Sequence, residues 1–246
     1  MNKLMDKVAL VTGGSRGIGA AIAKRLAADG ASVAITYAKD VSAASAVVKA
    51  IELSGGRAIA IKADAASVEA VKSAVAEAVA TFGRLDVLVN NAGTVIPKPF
   101  EAATLAEIDR VIDINVRGVI FTTHAALQSM NDGGRIITIG SAMAERAAAP
   151  GMVPYAATKG AAKMFTQALS REVGSRGITV NIVHPGPIDT DLNPDSGEWS
   201  IPQKAATALG RYGRAEEIAA MVAFLAGPES SYVTGANFSV DGGMNA

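Results

Sequence analysis

The chain of 246 residues contains no cysteine. That excludes disulfide staples, thiolate catalysis and any zinc site built on cysteine, and it fits a reducing compartment. Net charge is missing too: 23 Lys and Arg stand against 23 Asp and Glu. No global field therefore draws the protein to nucleic acid or to an anionic membrane. Aromatic residues make up only 4% of the chain, with 4 tyrosines in all, so a tyrosine in a chemically suggestive setting asks for an explanation. No apolar run approaches the roughly 18 residues of a membrane span. The N-terminal "MNKLMDKVALV" enters a glycine-rich turn too soon to hold a signal-peptide core. Together these absences predict a soluble cytoplasmic globular protein.

Half of the residues are hydrophobic, enough for a sizeable core. They fall into short runs that alternate with longer helical patterns. The runs are "KVALVT" (7–12), "SVAITY" (32–37), "RAIAIKA" (57–63), "LDVLVNN" (85–91), "RIITIGS" (135–141), "ITVNIVHP" (178–185) and a last short strand in "ANFSVDGG". Helical patterns cover 17–29, 41–54, 67–82, 104–130, about 154–175 and 215–226. Continuous Val/Ile/Leu/Ala strands separated by helices predict a seven-stranded parallel sheet with helices on both faces, doubly wound by right-handed crossovers. No linker or break in composition divides the chain, so one α/β domain is expected over 1–246. The one long irregular stretch, 186–213, reads as a lid over a site.

"VALVTGGSRGIGAAIA" places Gly13, Gly17 and Gly19 between the first strand and its helix. Glycines there permit positive φ or close backbone approach, and the helix N-terminus offers free N–H groups to a pyrophosphate. Ser15, Arg16 and Ile18 complete the candidate cradle. An NAD-specific site places an acid at the end of the second strand, to hold the ribose 2′-hydroxyl. Here that strand ends in Tyr37 and Ala38, while Arg16 and Lys39 can meet a 2′-phosphate. The expected cofactor is NADP(H), with NAD(H) the alternative.

"VPYAATKGAAKMF" (153–165) puts Tyr155 and Lys159 four residues apart, hence on one helix face. A free phenol, with a pKa near 10, is a poor base at neutrality. A cation roughly 5 Å away, at an effective dielectric of about 20, contributes about 3 kcal/mol, or about two pKa units. The expectation is a phenol acidified by its lysine.

Four motifs occur in order: "TGGSRGIG" (12–19), "NNAG" (90–93), Ser141 with "YAATK" (155–159), and "HPGPIDT" (184–190). Together, and over essentially the whole length, the chain resembles the short-chain dehydrogenase/reductases, in the style of bacterial 3-oxoacyl-carrier-protein reductases and related small carbonyl reductases. The resemblance implies a Rossmann fold and a catalytic set of Asn115, Ser141, Tyr155 and Lys159. Asn115 would organise a water-linked proton path. Asn91, Ala92 and Gly93 would line the cofactor, with Asp64 and Ala65 at the adenine edge. Pro185, Gly186, Ile188 and Thr190 would hold the carboxamide, and Tyr155 and Lys159 would touch the nicotinamide side. It also implies a homo-oligomer, with a tetramer favoured over a dimer.

The remaining polar residues read more plainly. His124 and His184 are taken as structural, Asp109 and Asp113 as a solvated helix face, and "DTD" (189–191) lacks the neighbours of a metal site. Val95, Ile96, Ala142, Met143 and Pro187 make an apolar candidate pocket. That ranks a free small or medium carbonyl compound or alcohol above an acyl-carrier substrate, for which Arg171 and Arg176 are the available cations. A nucleotide-binding regulator on the same fold is the third reading.

Overall fold

A computed structural model describes residues 3–246. In chain order the elements are β1 (Val8–Val11), α1 (Gly17–Ala28), β2 (Ser32–Tyr37), α2 (Val41–Leu53), β3 (Arg57–Lys62), α3 (Val68–Phe82), β4 (Leu85–Asn90), α4 (Leu105–Ile112), α5 (Gly118–Leu127), β5 (Met130–Ile139), α6 (Val153–Val173), β6 (Thr179–Pro185), α7 (Ser200–Ala205), α8 (Ala215–Ala226) and β7 (Asn237–Val240). The seven strands form one parallel sheet in the order β3-β2-β1-β4-β5-β6-β7.

Burial follows from that order. Every residue of β1, β4 and β6 is buried, whereas the edge strands β3 and β7 alternate with exposed or half-buried positions. One apolar layer joins Ile22 and Leu26 of α1, Val47 and Ile51 of α2, and Ile218 and Val222 of α8 against one face. The other joins Val75 and Ala78 of α3, Ala126 of α5, and Leu169 and Val173 of α6 against the opposite face. Burying both faces is what turns the strands into continuous Val/Ile/Leu runs rather than alternating ones.

The chain winds outward from β1 to β3, then crosses back to place β4 beside β1. Val8 pairs with Ser32 on one side and Ala9 with Val87 on the other. That reversal opens a crevice at the carboxyl ends of β1 and β4, the switch point where such sheets bind ligands.

Three expectations are corrected. The helix expected over 104–130 is broken: α4 and α5 are joined by a π-helical turn, Asp113–Arg117, with Asn115 buried inside it. β5 begins at Met130, not at Arg135, and the sheet register slips between Leu85↔Met130 and Val87↔Arg135. Arg176 ties down the extra residues by donating to Asp132 (2.9 Å), the Leu127 carbonyl (3.2 Å) and the Met130 carbonyl (2.6 Å). The stretch 186–213 is also not structureless. It holds α7, an Ile188–Gly213 bridge, and a reciprocal amide pair between Asn193 and Gln203 at 3.0 Å in each direction.

Candidate active site

The crevice is built first from backbone. Thr12 follows β1, and its hydroxyl accepts from the N–H groups of Asn91 and Ala92, both at 3.0 Å. Asn91 replies through Nδ2, which donates to the carbonyls of Thr12 (2.9 Å) and Gly13 (3.0 Å). Thr36 accepts from the Gly13 N–H at 3.1 Å. The segments after β1, β2 and β4 are thereby locked together. Gly13 (φ 63°) and Gly17 (φ 53°) occupy the left-handed region that a turn this tight requires. Ser15, Arg16 and Ile18 lie between Gly14 and Gly19 on the same turn, and Arg16 is exposed. Thr12 and Thr36 were not singled out from sequence; a threonine next to the first glycine is the one local hint.

The N-terminus of α1 differs from its neighbours. Asp40 caps α2, Ser67 caps α3, and Thr104 with Glu107 forms a capping box on α4. At α1 the N-cap is Arg16, which makes no side-chain cap, and the first turn carries no acid. Its leading N–H groups and the positive end of its dipole are therefore left for an external anion. A pyrophosphate fits. A methyl on Gly19 would collide with Asn91 Nδ2 and the Gly13 carbonyl, so the cradle is open only because that position has no Cβ. Gly19→Ala is expected to weaken NADPH binding about 100-fold by fluorescence titration, with circular dichroism showing that the sheet remains.

The rim at β2 carries no carboxylate that could receive a ribose 2′-hydroxyl. Tyr37 is half-buried against the core, Ala38 and Lys39 are exposed, and Asp40 is spent on the α2 cap. No ion pair among the described residues involves Arg16 or Lys39. Asp64 has a partner invisible in its local sequence: Arg110 of α4 donates to both carboxylate oxygens at 3.1 Å. Burial raises the Asp64 pKa, but the Ala66 N–H, Arg110 and Lys39 together hold it below the ordinary carboxylate value. Ala65 packs its carbonyl against Gly118 at the start of α5.

Across the crevice, a methyl on Gly93 would stand 3.5 Å from Asn115 Oδ1 and 3.7 Å from Lys159 Nζ, so these three residues meet. The π-turn aims Asn115 inward. Its Oδ1 accepts from Thr94 N–H (2.8 Å), while Nδ2 donates to the Thr94 carbonyl (2.9 Å) and the Thr158 hydroxyl (3.1 Å). Thr158 in turn donates to the Tyr155 carbonyl at 2.7 Å. Asn115 thus fastens the segment after β4 to the first turns of α6.

Lys159 is buried, and its Nζ donates to the Ile139 carbonyl at 2.9 Å. The same Nζ lies 5.6 Å from the Tyr155 ring centroid, so the two side chains do share a face. Ser141 follows β5, and its hydroxyl accepts from Met143 N–H at 3.1 Å. The titration behaviour departs from expectation. Burial pushes the Tyr155 phenol above its ordinary value, with the neighbouring Ser141 hydroxyl pulling the other way. Burial also lowers the Lys159 ammonium to about 8. Desolvation therefore outweighs the through-space attraction in the pair.

On the far wall, Gly186 N–H donates to the Val240 carbonyl at 3.2 Å, and a methyl there would strike the Asp241 backbone. Pro185 ends β6, and Ile188 belongs to the core. Thr190 reaches the glycine turn, with its Cγ2 3.3 Å from where a Gly17 Cβ would stand. No group of three or more His, Asp or Glu among the described residues is arranged to hold a metal. No helix among them is long and apolar enough to cross a membrane.

The family model described as enoyl-(acyl carrier protein) reductase, adh_short_C2, matches residues 13–245. A short-chain dehydrogenase from Burkholderia cenocepacia J2315, solved in complex with NADP, is 52% identical, with a TM-score of 0.98 over 99% of this chain and 100% of that one. The 3-oxoacyl-[acyl-carrier-protein] reductase of Synechocystis is 42% identical over 99% of both chains. The cyclic-di-GMP-binding biofilm dispersal mediator protein of Escherichia coli K12 is 41% identical over 100% of both.

Proposed function

The chain belongs to the short-chain dehydrogenase/reductase family, and from that premise we propose that it reduces the carbonyl group of a free, largely apolar compound to a secondary alcohol, or runs the reverse. It is an NADP(H)-dependent oxidoreductase acting on CH–OH and C=O groups. The supporting observation is the meeting of Tyr155, Lys159 and Ser141 beside Gly93 and Asn115 at the switch point.

Bound NADPH supplies the hydride. The cradle of Gly13, Gly17 and Gly19 and the uncapped α1 would hold its phosphates, Arg16 and Lys39 its 2′-phosphate, and Gly186 and Thr190 the nicotinamide end. Ser141 would donate to the substrate oxygen as negative charge gathers there. Tyr155 would give that oxygen its proton. A phenol kept neutral by burial is a proton donor throughout the neutral range, which suits reduction. In oxidation the same burial opposes formation of the phenolate, so Lys159 has to offset it from nearby. Asn115 acts on geometry, by fixing α6 against the cofactor loop.

The segment 186–213 is read as a lid. It exposes Leu192, Trp199, Ile201 and Leu209, four large apolar side chains. Those side chains favour an apolar substrate. Arg176, one of the two cations considered for an acyl carrier, is already spent on β5. Trp199→Ala is expected to raise KM for the carbonyl substrate about tenfold with NADPH affinity unchanged. An unchanged KM would remove the lid from the site.

Self-association is inferred from exposed Ile112, Ile120 and Met164 on α4, α5 and α6, and from Phe224 on α8 with Tyr232 beyond it. Apolar side chains left out on several helices mark contact surfaces. Light scattering that returns a monomer would refute this.

NADPH oxidation measured on a panel of ketones and 3-oxoacyl thioesters tests the main reading. Turnover confined to carrier-bound thioesters would favour the acyl-carrier alternative suggested by the Synechocystis relative. Tight cyclic di-GMP binding with no turnover on the panel would favour a regulator.

A further inference from the structure

His184, last but one in β6, has 0% of its surface exposed. Its Nδ1 accepts a hydrogen bond from the Ser141 backbone N–H at 3.2 Å. An imidazole nitrogen that accepts from an N–H carries no proton, so the ring proton sits on Nε2. Ser141 is extended (φ −166°, ψ 150°) and enters a short 3₁₀ turn, Ala142–Ala144. Three contacts hold that entry: His184 on the Ser141 N–H, the Ser141 hydroxyl on Met143 N–H, and Asn245 Nδ2 on the Ala142 carbonyl at 2.9 Å.

The ring leaves no slack. A methyl on Gly140 would collide with His184 Nδ1 and Cε1, while the Gly140 N–H donates to the Val183 carbonyl at 2.7 Å. Gly140 and His184 therefore fit only as a pair, and together they fix where the chain turns outward into Ser141. On the opposite edge Nε2 has no hydrogen-bond partner. Glu145 Oε1, after the 3₁₀ turn, is 4.0 Å away, and that carboxylate is held by Lys163 of α6 at 2.7 Å. Asn237 of β7 offers the ring a looser hydrogen bond, in the sense that favours its proton. Burial lowers the His184 pKa, and Lys163 acts in the same sense; Asn237, Glu145 and Ser141 oppose it without winning.

We propose that His184 is a positioning residue: its Nδ1 lone pair sets the direction of the Ser141 backbone, and through it the aim of the Ser141 hydroxyl at the substrate oxygen. This rests on the reading of Ser141 given above. The chain has only 2 histidines, and the other, His124, is exposed on α5. His124→Gln therefore leaves a one-histidine protein for nitrogen NMR of the imidazole. The expected spectrum is a neutral ring protonated on Nε2, unchanged when Ser141 is made alanine, because the bond uses the backbone. A proton on Nδ1 overturns the proposal whatever the activity.

Two further variants supply the kinetic arm. Asparagine places its side-chain oxygen near the former Nδ1, whereas glutamine reaches to the position of Nε2 and leaves the Ser141 N–H alone. His184→Asn is expected to keep kcat within about threefold, while His184→Gln loses about tenfold or more at unchanged NADPH affinity. Equal kcat in the two folded variants, high or low, also overturns the proposal. If Ser141→Ala turns over like the parent, the functional reading has failed instead, and the tautomer result stands apart from it. If neither His184 variant folds, the NMR arm decides.

Discussion

Tyr155→Phe is expected to lower kcat for NADPH-dependent carbonyl reduction by about 1000-fold or more, with NADPH affinity unchanged within about threefold. The substitution removes one hydroxyl and nothing else. The ring would still lie beside Lys159 Nζ, now 5.6 Å from its centroid. Its backbone carbonyl, which accepts from Thr158, is retained by phenylalanine, and only the phenol's contact with the Ser141 hydroxyl is lost. What disappears is the phenol proposed to hand a proton to the nascent alkoxide. The pH profiles of the parent enzyme sharpen the test. Because burial raises the Tyr155 pKa, reduction should be nearly flat between about pH 6 and 8, where the phenol is fully protonated. Oxidation of the alcohol should climb with pH over the same range, as the phenolate becomes accessible. A phenylalanine variant with near-parental turnover, or a reduction rate that falls from pH 6 upward, would remove Tyr155 from the proton transfer.

The sheet, its seven strands and the glycine turn were legible in sequence because each follows from a local pattern. Buried strands read as unbroken apolar runs. A turn that must expose N–H groups at a helix start shows its glycines and lacks a capping side chain. Tyr155 and Lys159 were legible because helical spacing alone decides that they share a face. What escaped depends on residues far apart in the chain. The π-turn at Asp113–Arg117 leaves the apolar periodicity of 104–130 intact, and only the engagement of Asn115 by Thr94 and Thr158, 21 and 43 residues away, reveals it. Asp64 was expected at the adenine edge, and its pairing with Arg110, 46 residues away, could not be read from the sequence. His184 reads as structural in sequence, and its Nδ1 contact with the Ser141 N–H, 43 residues away, could not be read there. The sign of the phenol's shift was misjudged for a related reason: a pairwise Coulomb sum contains the neighbour, but not the water that folding removes from both partners.

Lys159→Met is expected to raise the stability of the protein at neutral pH while abolishing most of its activity. Burial lowers the Lys159 pKa from 10.5 to about 8, so the folded state disfavours the ammonium relative to the unfolded chain. A shift of that size corresponds to about 3 kcal/mol. The sign follows from proton counts. Between about pH 8 and 10.5 the unfolded lysine holds its proton and the folded one releases it, so stability rises with pH across that window. Below it the penalty is present in full. Methionine fills a similar volume without charge and removes the penalty, at the cost of leaving the Ile139 carbonyl without its donor, about 1 kcal/mol in general. The net expectation at pH 7 is a gain of about 1–2 kcal/mol by urea denaturation, shrinking toward zero or reversing as pH rises through 10.5, above which the parent lysine is neutral in both states. Turnover should fall by about 100-fold or more, since the cation that steadies a phenolate, and that stands 3.7 Å from where a Gly93 Cβ would be, is gone. A variant that is less stable than the parent at pH 7 and no more so at pH 10 would mean that Lys159 is held for the fold. A stabilised, inactive variant would mean that this buried charge is kept against the fold's interest, for chemistry at the crevice.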